Sequence, residues 1–502
     1  MYIQKSMFFC QEMRVKQTHD LIVIGGGSGG LSVASGCAQL GMKVALVERE
    51  HMGGDCLHYG CVPSKALLHA SSTYYGARRS EGFTASAVTQ PPADIQKVND
   101  YIASVVQSIA HHDSPERFES LGADVILGPA RFVSAHEVSV NGTVLSAPKI
   151  VISTGSRAAI PPIPGIEGTP YLTNRDVFSL SKLPETMIVL GGGPIGIELG
   201  QAFSHLGVQV HVVEMAPRIL PRDDEDMARI IATRLEKGGI ALHTGTVVKS
   251  VAYSDQTGFT VTVEHDGQSS ELRGDSLLVA AGRRANTEDL NLEAAGLSGG
   301  RGGFIQVDKK LRTTRKHIYA IGDVNGQFPF THVAGAEAAV VVRRVALHAG
   351  GSMDYRTVPW VTYTDPELAS AGHTEASAQA DGIPYSVIRQ PFDSVDRAQA
   401  EDAADGLMKV ILDRKDRVIG VQIAAPGAGE LLGPGLRAVR NRARFSSLRS
   451  GMTPYPTLSE VYPRAVSSVL APRLFNNRVR RVLRTLFRYR GRGPRQAGGS
   501  KE

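Results

Sequence analysis

The sequence predicts an α/β protein in which two doubly wound, Rossmann-like units of one pattern are followed by a separate α+β domain. Three observations predict it. Two glycine-rich loops, each preceded by an apolar β-rich run and followed by a helical stretch, repeat the same unit within one chain. At 502 residues the chain is too long for one ordinary core. Past the second unit the pattern turns to short strand-like runs such as Leu407 to Leu412 and Val418 to Ile423, with no further glycine loop of that kind.

The first unit runs from the strand Asp20 to Gly25 through Gly-Gly-Ser-Gly-Gly30 into a helix ending near Leu40. A second strand, Lys43 to Val47, then ends at Glu48. The second unit repeats this with Met187 to Leu190, Gly191-Gly-Gly-Pro-Ile-Gly196, a helix to about Leu206, and the strand Gln209 to Val213 ending at Glu214. Gly25 and Gly27, like Gly191 and Gly193, allow a tight turn and close approach of a pyrophosphate to backbone N–H groups. Gly30 and Gly196 let helix and strand pack closely. The acids Glu48 and Glu214 are placed to hold ribose hydroxyls. One such motif is a weak signal. Two complete units in one chain predict two dinucleotide sites.

Further on, Ile318 to Asp323 reads as a buried strand ending in a Gly-Asp turn. Domain breaks are expected near Pro161, Ala281 and Ser352.

Hydrophobic residues make up 42% and charged residues 21% of the chain, the balance of a globular protein. No apolar run reaches the ~18 residues a spanning helix needs. Met1 to Thr18 mixes charged with apolar residues and lacks the centre of a secretory signal, so it reads as a short extension of a cytoplasmic protein. The net charge of +6 is unevenly spread. From Arg473 onward nine arginines and one lysine face a single glutamate, which leaves the body at about −3 and gives it no reason to bind nucleic acid.

All four cysteines, Cys10, Cys37, Cys56 and Cys61, lie in the first 61 residues, so no disulfide framework staples the fold. Four residues separate Cys56 from Cys61 in Gly53-Gly-Asp-Cys-Leu-His-Tyr-Gly-Cys-Val-Pro-Ser-Lys65. Two sulfurs so spaced can meet across one irregular helical turn, and a helix N-terminus with a nearby lysine favours thiolate. Beside two dinucleotide sites, this pair reads as a redox centre rather than as two buried thiols. No metal-ligating set is read.

With that thiol segment, and with Ala281 to Asn286, Ala320 to Asp323, Tyr363 to Glu367 and Tyr455 to Glu460 in the same order, the chain resembles the class I pyridine nucleotide-disulfide oxidoreductases. These flavoproteins include dihydrolipoamide dehydrogenase, glutathione reductase and mercuric reductase. The resemblance implies an FAD-dependent NAD(P)H oxidoreductase that passes electrons through Cys56 and Cys61 to a disulfide or related thiol-reactive acceptor, a small molecule. It implies a homodimer with an FAD-binding domain in two segments (19–160 and 281–351), an NAD(P)-binding domain (161–280) and an interface domain (352–471), flanked here by an extension (1–18) and a basic tail (472–502). Among FAD contacts it points to Ala130, Gly155, Asp323 and Thr331, and among nicotinamide contacts to Val247 and Gly282. It brings Lys65 near the flavin, paired with Glu198. Cys61 would be the sulfur nearer the flavin and Cys56 the one that exchanges with substrate. Glu214 favours NADH over NADPH, because a carboxylate accepts from a free 2′-hydroxyl and repels a 2′-phosphate; Arg218 nearby could soften that preference.

One departure bears on chemistry. Disulfide-reducing members place a histidine where this chain has Tyr455, while the partner acid, Glu460, is kept. A phenol with pKa about 10 is a poor base at neutral pH. Mercuric reductases resemble this chain in having tyrosine there, yet they carry a C-terminal cysteine pair, and no cysteine follows Cys61. A soft metal ion or a quinone as acceptor, and His58 as a substitute base, stay open. So does a different class of role, a redox-responsive binding protein at a membrane surface.

In the tail, Arg473 to Arg490 reads as an amphipathic helix, with Phe475, Val479, Val482, Leu483, Leu486 and Phe487 on one face and arginines around the rest. Contact with an anionic membrane from its inner face, docking on the enzyme's own dimer, and an acidic partner are the three readings.

Overall fold

The computed structural model describes residues 17–79, 83 and 91–491. Cys10, most of the N-terminal extension and the end of the tail lie outside them. The chain forms two compact units. One comprises the chain up to Leu220 together with Leu235–Tyr355, and the other comprises Pro221–Arg234 and the chain from Arg356 onward.

The first unit holds two parallel sheets. In one, the strand order is Ile318–Ala320, Ile150–Ile152, Leu21–Ile24, Val44–Glu48, Ala123–Leu127. Leu21–Ile24 is apolar at every position and buried throughout, as a strand covered on both faces must be. On the far side of Ile150–Ile152, the strand Ile318–Ala320 arrives from about 170 residues further along the chain and pairs with Ile150–Ile152 in parallel register, Ile318 opposite Ile150. A residue stretch so distant in sequence therefore completes the sheet that the first glycine loop caps.

The second parallel sheet runs Ala241–His243, Gln209–Val213, Thr186–Leu190, Ser276–Val279. Two antiparallel three-stranded sheets lie in the same unit, Ala130–Phe132 with Glu137–Val140 and Thr143–Ser146, and Thr246–Ser254 with Gly258–His265 and Gln268–Gly274. Each glycine loop leads directly into a helix, Ser28–Gln39 in the first case and Pro194–His205 in the second. Proline in the first turn of the latter loses no hydrogen bond, because that N–H has no intrahelical acceptor.

The second unit is built on an antiparallel sheet in the order Pro359–Thr362, Glu367–Gly372, Val418–Ala425, Leu407–Asp413, Tyr385–Pro391. Phe392, Val410, Ile423 and Tyr462 belong to its core. Asp224, Asp226 and Glu375 gather in this unit around the ammonium of buried Lys409, which donates to Asp226 at 2.7 Å and pairs with Asp224 at 2.9 Å and with Glu375. The three acids thus neutralise a lysine.

The tail corrects one expectation. A single helix over Arg473 to Arg490 is not observed. The helix Val461–Leu474 ends first, and a new one, Asn477–Phe487, starts behind Asn476, whose side chain accepts from the Val479 N–H at 2.9 Å. An asparagine cap supplies an acceptor for an otherwise orphaned amide, and this divides what periodicity alone reads as one helix.

Candidate active site

The first glycine loop is shaped by contacts that only glycine permits. At Gly25 φ is +106°, and a side chain at Gly30 would place its Cβ 1.9 Å from the Gly25 carbonyl. Glu48, at the end of the next strand, accepts from the Gly26 N–H at 2.6 Å and from the Glu50 N–H at 2.7 Å. Gly25, Gly27, Glu48, Ala130 and Gly155 line one cavity. The buried hydroxyl of Thr154, in a residue on the same wall, has no hydrogen-bond partner. A glycine cradle, a carboxylate at the strand end and an unspent polar atom fit the adenosine and pyrophosphate of a dinucleotide.

The second loop repeats the arrangement. Gly191 has φ +116°, and a Cβ at Gly196 would meet the Gly191 carbonyl at 2.1 Å. Glu214 accepts from Gly192 N–H at 2.6 Å and Ala216 N–H at 2.7 Å. A Cβ at Gly193 would meet nothing within 4 Å. Val247 is partly exposed on the strand Thr246–Ser254, and Gly282 has φ +140° directly before Arg283.

Cys56 lies in the short helix Gly54–His58, and Cys61 opens the long helix Cys61–Arg79. Both thiols are free. The Thr331 hydroxyl, at the start of the helix Thr331–Val345, donates to Cys56 Sγ at 3.1 Å and lies 3.6 Å from Cys61 Sγ. A hydrogen bond from Cys56 holds the Cys61 thiol down to about 6, helped by Thr331 and by the charge of Lys65, against the opposing effect of burial. Cys56 is pushed up by the same hydrogen bond and by burial. The reduced pair at neutral pH is therefore a Cys61 thiolate beside a protonated Cys56. Buried Cys37 differs, its thiol raised to about 11 by desolvation alone.

Lys65, one turn along the Cys61 helix, donates to Glu198 Oε2 at 2.8 Å, and Glu198 is buried in the helix of the second glycine loop. This ion pair ties the helix of the second glycine loop to the thiol segment. Arg283 makes a second tie. It donates to Asp55, the residue before Cys56, at 2.8 Å and to Ser156 Oγ at 2.9 Å, and stands 3.6 Å from Asp323. Ser156 Oγ in turn donates to Asp323 at 2.6 Å. Burial raises the Asp323 carboxyl, and Arg283 counters it.

In the second unit the Tyr455 phenol donates to Asp396 at 3.1 Å, and that bond raises its pKa above the ordinary value. Arg464 pairs with Asp396 at 3.0 Å and approaches Glu460 at 3.7 Å, while the other Glu460 carboxylate oxygen is buried without a hydrogen bond. Tyr455 is a donor fixed on a carboxylate, the opposite of a base. The His58 ring is 2.9 Å from the Met52 carbonyl, which fixes that nitrogen as a donor.

Sequence reasoning missed the Thr331 hydroxyl, Arg283 with Asp55, and the Asp396 acceptor. Thr331 is expected only as an FAD contact, and its position is 270 residues from Cys61, so no spacing could pair them.

Residues 19–338 match the family described as pyridine nucleotide-disulphide oxidoreductase, and residues 358–466 match its dimerisation domain. The chain belongs to this family. It is an NAD(P)H-dependent flavoprotein disulfide oxidoreductase that uses FAD, and it is a homodimer. It is 38% identical over 455 residues to a dihydrolipoyl dehydrogenase of Thermus scotoductus, covering 88% of this chain and 96% of that one. To a mercuric reductase of Staphylococcus aureus it is 32% identical, covering 88% and 81%. Among solved structures, the HOCl-induced flavoprotein disulfide reductase RclA of Escherichia coli superposes with a TM-score of 0.80 at 29% identity, covering 90% of this chain and 100% of that chain. Among the described residues no helix is long and apolar enough to cross a membrane.

Proposed function

We propose that the enzyme uses NADH to reduce disulfide-like acceptors whose leaving thiol is acidic, with Cys56 and Cys61 as the exchanging pair. The carrying observation is the placement of two free thiols on one hydroxyl, with Thr331 donating to Cys56 Sγ at 3.1 Å and lying 3.6 Å from Cys61 Sγ, whose pKa is held down to about 6. FAD, when bound, supplies two-electron exchange between the nicotinamide and the sulfurs. The residues that would hold it are Gly25, Gly27, Gly30, Glu48, Ala130, Gly155, Asp323 and Thr331, and Gly191, Gly193, Gly196, Glu214, Val247 and Gly282 would hold the nicotinamide cofactor.

The exchange step balances without an imidazole. Cys56 passes its proton to the Cys61 thiolate across their hydrogen bond and attacks one acceptor sulfur, breaking the acceptor disulfide and releasing one thiolate. Cys61 then attacks Cys56 in the mixed disulfide, forming the Cys56–Cys61 disulfide, and its proton leaves with the second thiol. One product therefore departs as a thiolate, and the Tyr455 phenol, held as a donor to Asp396, does not take the place of the imidazole as its proton donor. Exchange is faster the lower the pKa of the leaving thiol. An aromatic disulfide should accordingly turn over far faster than lipoamide. Equal rates for the two would reject this reading.

NADH is favoured by the Glu214 carboxylate, which would repel a 2′-phosphate. Arg218 donates instead to the Leu220 carbonyl at 3.0 Å. A second reading, a soft metal ion as acceptor, is favoured by the free thiol pair and by likeness to a mercuric reductase. It predicts stoichiometric protection of both cysteines from alkylation by the metal ion alone.

A further inference from the structure

The reaction makes no use of the helix Asn477–Phe487. None of its residues is buried. Val482, Leu486 and Phe487 are 56%, 68% and 59% exposed, as is most of Phe475 just before it. Val479, Val482, Leu483 and Leu486 recur at three- and four-residue intervals and so form one seam. Arg478, Arg480, Arg481, Arg484 and Arg488 take up the rest of the circumference. Between Arg473 and Gly491 there are seven arginines and no acidic residue. Among the described residues none of these arginines forms an ion pair, and their contacts are local, such as Arg480 to Asn477 at 2.8 Å and Arg484 to the Gly491 carbonyl.

We propose that this helix lays the enzyme on an anionic lipid bilayer. Both halves of the surface point to that occupant. An apolar seam flanked by cations matches the boundary between acyl chains and phosphate headgroups, where the seam leaves water and guanidinium groups pair with phosphates. At about 1.5 Å per residue the 11-residue helix is roughly 16 Å long, half the ~30 Å of a hydrocarbon core, so it lies in the interface rather than spanning it. A nucleic acid would engage the arginines but leave the seam in water. A second copy of the chain would cover the seam but leave the arginines without counter-charge. The body of the chain, at about −3, is not drawn to such a surface, so attraction is confined to the tail.

The test is flotation of the full-length holoenzyme with vesicles of phosphatidylcholine alone and of equimolar phosphatidylcholine and phosphatidylglycerol. Binding is expected only to the anionic vesicles, weakened by high salt. Arg481→Glu with Arg484→Glu should weaken it roughly thirtyfold or more. Val482→Asp with Leu486→Asp, and the milder Leu486→Ala, should weaken it too, with flavin absorbance and dimer mass unchanged. No flotation, or equal flotation with neutral vesicles, overturns the proposal. So does loss in the arginine variant alone, which marks a polyanion site. Dissociation of the dimer by the apolar variants also overturns it, since the seam then belongs to the partner copy.

Discussion

The two glycine loops share their internal geometry and differ in what lies over them. In both, the third glycine packs under a carbonyl at about 2 Å from where a Cβ would stand, and the strand-end glutamate receives the same two kinds of backbone N–H. Over the first loop, however, the thiol segment is laid as a lid. Gly53 N–H donates to the Gly26 carbonyl at 2.8 Å, Gly27 and Gly53 form a parallel bridge, and a Cβ at Gly54 would come 2.9 Å from Gly27 Cα. At the second loop the Gly192 carbonyl likewise accepts, from the Leu220 N–H at 2.9 Å, but a Cβ at Gly193 would meet nothing within 4 Å. Loops of one internal geometry thus suit two uses, a ligand enclosed beside the redox pair and one that comes and goes.

The largest expected effect comes from filling the two cradles. Gly30→Ala should yield protein that retains little or no flavin. Gly196→Ala should remain yellow but lose reduction by NADH. Visible spectra before and after NADH compare them directly, and flavin loss in both variants would break the distinction between an enclosed and an open loop.

Next is the ion pair that links the second loop's helix to the thiols. Lys65→Met, made together with Glu198→Gln so that no buried charge is stranded, removes the cation that favours the Cys61 thiolate. In the wild-type reduced enzyme, thiolate forms as pH rises through about 6, and alkylation of Cys61 should rise over that window. In the double variant the inflection should move to higher pH, as mass spectrometry of alkylated peptides across pH would show. An unmoved inflection would mean that the charges of Lys65 and Glu198, which act on Cys61 in opposite senses, cancel there.

A smaller effect is expected at the open loop. Glu214→Ala should raise the preference for NADPH relative to NADH by roughly five- to tenfold, the size of one exposed charge repulsion, read as the ratio of kcat/KM values. Smallest of all, Ser153→Ala removes a hydroxyl that donates to the Ile24 and Gly25 carbonyls at 3.0 and 2.9 Å, and Ala280 stands beside Gly191 in the second loop where Ser153 stands beside Gly25. It should cost about 1–2 kcal/mol in urea unfolding while leaving the NADH-to-NADPH ratio unchanged.

The two glycine loops and the strands flanking them were legible in the sequence, because glycine spacing and apolar strands are local signals that one short window carries, whereas strands such as Ile150–Ile152 and Ser276–Val279 were not. The helix ends fell within a residue or two, near Leu40 and Leu206. The chemistry between distant segments was not legible. Thr331 meets the sulfurs, and Arg283 joins Asp55 to Asp323, only after residues hundreds of positions apart are folded together. At Tyr455 the sequence revealed a missing imidazole but not the Asp396 carboxylate that makes the phenol a donor, since nothing in the local pattern links the two. The split at Asn476 escaped for a related reason. Periodicity runs unbroken across a cap whose effect depends on one side-chain hydrogen bond.

The central claim is that Cys56 and Cys61 relay the electrons, and anaerobic titration of the yellow enzyme with NADH tests it most directly. After two electrons the wild type should show a long-wavelength charge-transfer absorbance that arises from the Cys61 thiolate and is missing in Cys61→Ser. Simple bleaching of the wild-type spectrum, with no such band, would contradict the relay.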